Sequence, residues 1–347
     1  AAATLYGAEA AAGVIQIITK KGRPGRVTWD TRMEYGGNEW VDGLRPINYG
    51  LATAARIADP VNYPGYTGLQ PGAIVQARVM DDSAALRNGK LTRFSAAARG
   101  GGNGYAFYVS GGQDKEEGTY WNNFSNRTSL RGNFQFEPTP KLTFSTEIGY
   151  SNNKVRLPLS DNIATGLIIS SWLATPGRAY PFPAGLNYFT IKPEVFNAYE
   201  NITETDREIL GANAEYRFTP SLTTKLRVGY DFSSGQAVVY FPPAVPGTNP
   251  FTARASFDYD NTKGLMAEGR PLVRNLTADW TGQYRRDISS SLSSTASVGA
   301  QLLRNSVQRT ETYGQDLGAE GVRSINAAAV TWGDQSFSEQ KSIGLYA

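Results

Sequence analysis

The stretch NRTSLRGNFQFEPTPKLTFSTEIGY, residues 126–150, decides the fold. Before its Pro138-Thr139-Pro140 break, Thr128, Leu130, Gly132, Phe134 and Phe136 alternate with Arg127, Ser129, Arg131, Asn133 and Gln135. After it, Leu142, Phe144, Thr146, Ile148 and Tyr150 alternate with Thr143, Ser145, Glu147 and Gly149. Successive side chains of an extended chain point to opposite faces, so this period of two makes one apolar and one polar face. Two such runs about a proline turn read as an antiparallel hairpin.

The same design recurs along the chain. Leu210, Ala212, Ala214, Tyr216 and Phe218 lead to a turn at Thr219-Pro220-Ser221, and Leu222, Thr224, Leu226, Val228 and Tyr230 lead away. A third copy runs from Leu276 through Trp280 to Tyr284, turns at Asp287-Ile288-Ser289, and continues through Val298 to Leu302. Nearer the start, Val27, Trp29, Thr31, Met33 and Tyr35 alternate with Thr28, Asp30, Arg32 and Glu34. Further strands are expected near 91–99 and 105–115, and the last near Lys341–Ala347, about ten in all. The glycine run at Gly100-Gly101-Gly102-Asn103-Gly104 reads as a tight turn, because neither a Gly-Lys-Ser/Thr ending nor a helical pattern follows it.

Composition narrows the function. Lys and Arg number 34 and Asp and Glu 31, giving a net charge of +3 that is too balanced to argue for nucleic acid. With no Cys and no His, disulfides, thiolate nucleophiles, Ser-His-Asp triads and most zinc or haem sites are removed. The 37 Gly and 19 Tyr favour turns and strands. Mean hydropathy is −0.37 and no run is long enough for a membrane helix, which leaves a membrane barrel open because its apolar residues occupy alternate positions.

Connection lengths discriminate between water and membrane. Turns after even-numbered strands are short, around 100–104, 138–140, 219–221 and 287–290. Loops after odd-numbered strands, around 37–90, 116–125, 154–206, 233–272 and 313–338, are mostly long. Segregation of loop length by strand parity is the sidedness of an outer-membrane barrel, and a soluble sandwich has no reason to show it. Aromatic residues cluster at both ends of the apolar runs, as the two girdles of such a barrel do. A barrel of only eight to ten strands fills its lumen with side chains, whereas plugged transporters have about 22 strands. The fold expected is therefore all-β: about ten strands of a probable 22-stranded antiparallel transmembrane barrel.

Ahead of this pattern lies AAATLYGAEAAAGVIQIITKKG, residues 1–22. Tyr6-Gly7, Ala11-Ala12-Gly13-Val14-Ile15 and Ile18-Thr19-Lys20-Lys21-Gly22 resemble the C-terminal end of the plug in SusC/RagA-type TonB-dependent outer-membrane transporters. The division expected is plug end over 1–22 and barrel over 23–347, with Lys20–Gly25 at the short-turn rim. The stretch from Ala1 shows no initiator Met, basic n-region or cleavage site, so the chain is expected to be an internal piece of a longer one. The resemblance implies active import of a large nutrient, of oligosaccharide or peptide class, across a Gram-negative outer membrane. It also implies coupling to TonB through a segment upstream of Ala1, a possible SusD-like surface lipoprotein as partner, no cofactor and no enzymatic activity. A passive porin or adhesin-like barrel and a soluble glycan-binding domain are the alternatives.

Candidate residues fall in two groups. Asp30, Arg32, Glu34, Arg127, Arg131 and Arg227 occupy the polar positions of strands and are expected to line the lumen or touch a plug; read as acid/base pairs, Asp30 and Glu34 carry less weight. Trp40, Tyr120, Trp121, Trp172, Tyr180, Tyr188 and Phe189 lie in the long loops, where aromatic platforms stack on sugar rings or peptide side chains; packing of the loops on themselves explains them equally. Asp258, Asp260 and Asn261 fail the spacing of a calcium loop.

Overall fold

The computed structural model describes Lys20 and residues 22–158, 166–180, 185–189, 193–243, 263–289, 292–319 and 321–347. The Val14–Ile18 stretch of the expected plug and the Asp258–Asn261 stretch lie outside these residues.

Alternation becomes strand wherever it was legible. The main sheet holds β1 (Gly25–Asn38), β4 (Gly89–Gly102), β5 (Tyr105–Glu117), β6 (Phe124–Thr139), β7 (Leu142–Arg156), β10 (Glu200–Thr219), β11 (Leu222–Phe241), β12 (Leu265–Asp287), β13 (Ser293–Leu317) and β14 (Ala328–Tyr346), in that spatial order. Every neighbour pair is antiparallel, so the ten strands form an up-and-down wall in which each long strand pairs with the next in sequence. Two short hairpins, β2 (Asn48–Leu51) with β3 (Ile74–Ala77) and β8 (Ala179–Tyr180) with β9 (Gly185–Leu186), belong to the long loops. So do three short helices, α1 (Ala54–Ile57), α2 (Leu167–Trp172) and α3 (Pro193–Ala198).

Directly paired residues share a face, so the register assigns each side chain. One row runs Trp29–Ala98–Val109–Gly132–Ile148–Leu210–Tyr230–Leu276, apolar across eight strands. Met33, Phe94, Leu130, Leu226, Trp280 and Val298 share this face and are exposed, which is the chemistry of a lipid-facing band. Tyr105, Phe136, Phe144, Tyr216, Phe218 and Tyr284 ring the same face beside the short turns.

The opposite, inner face is polar. A representative row reads Glu34–Arg93–Asp114–Arg127–Asn153, with alternating charge over its first four strands. Opposite charges placed directly across a ladder attract, so the row adds to strand pairing where apolar contact is absent.

Two loops expected at 233–272 and 313–338 are shorter than that. β11 continues to Phe241 and β12 begins at Leu265; β13 continues to Leu317 and β14 begins at Ala328, well before the Lys341 start expected for the last strand. The reason is chemical: above the apolar band both faces are wet, so Glu204, Glu208, Glu268 and Arg270 replace the apolar half of the alternation while the backbone ladder goes on. Pro271 interrupts that ladder on one side only, since Gly235 and Gln236 lack partners on β12 while Pro271 still registers with Arg309 on β13. β10–β14 reach 19 to 25 residues, against about 10 needed to cross a bilayer. This part of the wall stands roughly 30–50 Å of strand beyond the membrane requirement.

The long loops fold on one another at the end opposite the short turns. Met80, Leu167, Phe196, Tyr120, Tyr188 and Tyr199 form one buried cluster drawn from the connections after β1, β5 and β7.

Candidate functional site

The inner wall and the loop body carry the functional candidates. All six polar candidates of the strands, Asp30, Arg32, Glu34, Arg127, Arg131 and Arg227, lie on the inner face by register. Strand period alone brings them there. Their partners are on the same strand or the next: Glu34 pairs with Arg32 and with Arg93 at 3.6 Å, and Arg131 with Glu147. Further round the wall Arg207, not singled out from sequence, makes a two-pronged ion pair with Asp231 at 2.9 and 2.5 Å.

Between these charges β4, β5 and β6 present small residues inward. Ser95, Ala97, Ser110, Gly112 and Ser129 form the floor of a groove of about 590 Å³, flanked by Asp30, Arg32, Arg99 and Lys20. Charged rims around a floor of short side chains let another backbone approach the wall closely and still find hydrogen-bonding partners.

The chain itself enters over this face. The Asn133 side-chain amide donates to the Lys20 carbonyl at 2.6 Å on β6. Gly22 lies flat on the Phe107 backbone of β5, so close that a Cβ there would overlap it. Gly25 then pairs with Gly101 on β4 as β1 begins. From β6 across β5 and β4 to β1 is three strand spacings, about 14 Å, and five extended residues reach roughly 17 Å. Lys20 and Gly22–Gly25 thus form a strap across the strands at the short-turn end, with Ala106, Tyr108 and Asn133 buried beneath. No sequence signal marks Asn133, one of several polar residues on its strand face.

The loop body divides the aromatic candidates. Tyr120 and Tyr188 are buried in its core and Trp40 packs against it, with the Trp40 and Tyr120 rings edge-on at 5.9 Å. Burial pushes both tyrosine hydroxyls well above the usual range, Asp82 and Glu194 adding to the effect at Tyr188. Trp121, Trp172 and Phe189 are exposed. Trp121 is held in place by its ring nitrogen, which donates to the Ser83 carbonyl at 2.8 Å, and by the Arg87 guanidinium 5.3 Å from its ring. Tyr180 lies in the β8–β9 hairpin, paired with Gly185. Sequence reading missed a second aromatic group, in which Arg56 lies over Tyr63 and Tyr66 and Arg178 over Tyr63, at 5.5 to 5.6 Å.

An up-and-down wall with an apolar outer band, a charged inner face and loops massed at one end is the wall of an outer-membrane-type β-barrel. The wall is SusC/RagA-like. Its fold matches the structure of the RagAB peptide importer in the open-open state with a TM-score of 0.75 at 16% identity, covering 99% of this chain and 42% of that one. It matches the closed-closed state at 0.71 and 15% identity, covering 99% of this chain and 43% of that one. In sequence, the TonB-dependent receptor P3 of Formosa agariphila is 21% identical over 283 residues, which is 77% of this chain and 27% of that protein. The chain therefore spans about a quarter of that curated relative and about two-fifths of the solved chains. No protein-family model matches it.

Proposed function

We propose that the protein to which this wall belongs is a TonB-dependent importer of a large nutrient, of peptide or oligosaccharide class, in a Gram-negative outer membrane. The observation that carries the reading is the strap: the chain ahead of the first strand runs over the inner, charged face of the wall. An internal plug needs that route, and a passive pore has no use for it. The sequence likeness to a TonB-dependent receptor supports energy coupling, and the fold likeness to a peptide importer supports a peptide cargo.

In this reading the inner wall holds the plug through the groove between Asp30, Arg32 and Arg99, and through Glu34, Arg127, Arg131 and Arg227. The loop body faces the cell exterior, where Trp121, Trp172 and Phe189 meet cargo. Trp40, Tyr120 and Tyr188 support them from the core, and Tyr180 sits on the neighbouring hairpin. A SusD-like surface lipoprotein is the partner this side would meet, while TonB would act from the short-turn, periplasmic side. Uptake of labelled oligopeptides and oligosaccharides by cells expressing the full-length protein tests this. Uptake should stop when the proton gradient is collapsed; uptake that continues unchanged would favour a passive barrel.

A further inference from the structure

The strap is attached to the wrong strands for a simple lead-in. Lys20 and Gly22 precede β1, whose sheet neighbour is β4, yet they are seated on β6 and β5. The seat is built from the inside. Asn133 is 8% exposed and its amide reaches a backbone carbonyl, so the contact is independent of the side chain at position 20. Gly22 meets the Phe107 peptide without clearance for any side chain.

This geometry has a mechanical meaning. The β1–β4 ladder begins at Gly25 opposite Gly101 and shifts register before Thr28 opposite Arg99, so its first pairs are irregular. Force applied to the N-terminal end of β1 would load these irregular pairs one at a time. A chain seated first on β6 and β5 delivers the same force to Asn133 and Phe107, where the ladders run in unbroken register.

We propose that Asn133 and the Phe107 backbone make Lys20 and Gly22 a stationary anchor, which shields the β1–β4 seam from force on the chain preceding it. The proposal rests on the import reading for the origin of that force, a tug on the plug, though the seat exists without it. Asn133 is then a positioning residue: it contacts no cargo, and it determines where displacement of the plug stops.

The test is to pull the full-length protein from its N-terminus in a lipid bilayer with a force probe. Two substitutions approach the seat from opposite sides. Asn133→Ser shortens the wall's donor, and Gly22→Ala lifts the strap without touching the wall. The unaltered protein should show a separate release event before β1 yields. Both variants, if their far-ultraviolet dichroism is unchanged, should lose that event, and β1, 14 residues or about 5 nm of chain, should come away first. Traces unchanged in folded variants would overturn the anchor and leave the uptake result standing. Uptake that ignores the proton gradient would overturn the import reading and leave the pulling result standing.

Discussion

The Tyr188 hydroxyl donates to the Val79 carbonyl at 2.9 Å, joining the loop after β7 to the loop after β1 across 109 residues of chain. Both residues are buried, so losing the donor leaves a carbonyl without water to replace it. Tyr188→Phe should cost about 1 kcal/mol in the loop body. Hydrogen exchange at residues 77–86 should quicken about fivefold while exchange in β6 and β7 stays unchanged.

Tyr120 is the informative contrast. Its hydroxyl is buried in the same cluster and has no hydrogen-bond partner among the described residues. Tyr120→Phe keeps the edge-on rings with Trp40 and Phe196 and removes only an unsatisfied group. Its exchange rates should equal or fall below those of the unaltered protein.

Alkali should open the loop body before it disturbs the wall. Burial raises the folded-state pKa of Tyr120 and Tyr188 above the unfolded value of about 10. For an acid held neutral in this way, stability is fully present below about pH 10 and is lost as pH rises beyond it. Tyrosinate absorbance followed together with loop hydrogen exchange should show the two changing in step. A loop body that keeps its protection well above pH 10 would contradict this assignment of burial.

Leu226 tests the facing of the wall. It lies in register with Ala214 and Trp280 on the exposed apolar face. Leu226→Arg should cost about 2–4 kcal/mol in a lipid bilayer if it sits near the midplane. Asn275→Arg, on the inner face and opposite Asp231, should cost less than about 1 kcal/mol. Folding titrations in lipid vesicles measure both, and equal costs would show that the two faces are assigned wrongly.

Gly65 tests how closely the loops are fitted to one another. Its amide donates to the Gly177 carbonyl at 3.0 Å, and a Cβ would overlap the Gly177 backbone. Gly65→Ala should destabilise this junction by about 1–3 kcal/mol. The readout is faster proteolysis of the loop after β7, with the wall intact.

Much of the wall is legible in the sequence. Phe136 answering Phe144, or Leu226 answering Ala214, follows from a period of two and a short turn, because in a meander each strand pairs with its neighbour in sequence. The same periodicity placed Arg127, Arg131 and Arg227 on the polar face. It failed above the membrane, where Glu268 and Arg270 on one face and Arg309 and Glu311 on the other leave no apolar half to recognise.

What the sequence determined by itself was thus the alternation of faces, the pairing of successive strands and the side on which the loops mass. These depend on residues next to one another, or joined by a short turn. Only the tertiary structure decided that Tyr120 and Tyr188 are core while Trp121 and Trp172 are exposed. It alone showed that the strands run on past the apolar band, and that the chain ahead of β1 is seated on Asn133 two strands beyond β4. Each of these depends on contacts between residues far apart along the chain, or on a ladder that neighbouring backbone supplies, and neither leaves a period in the sequence.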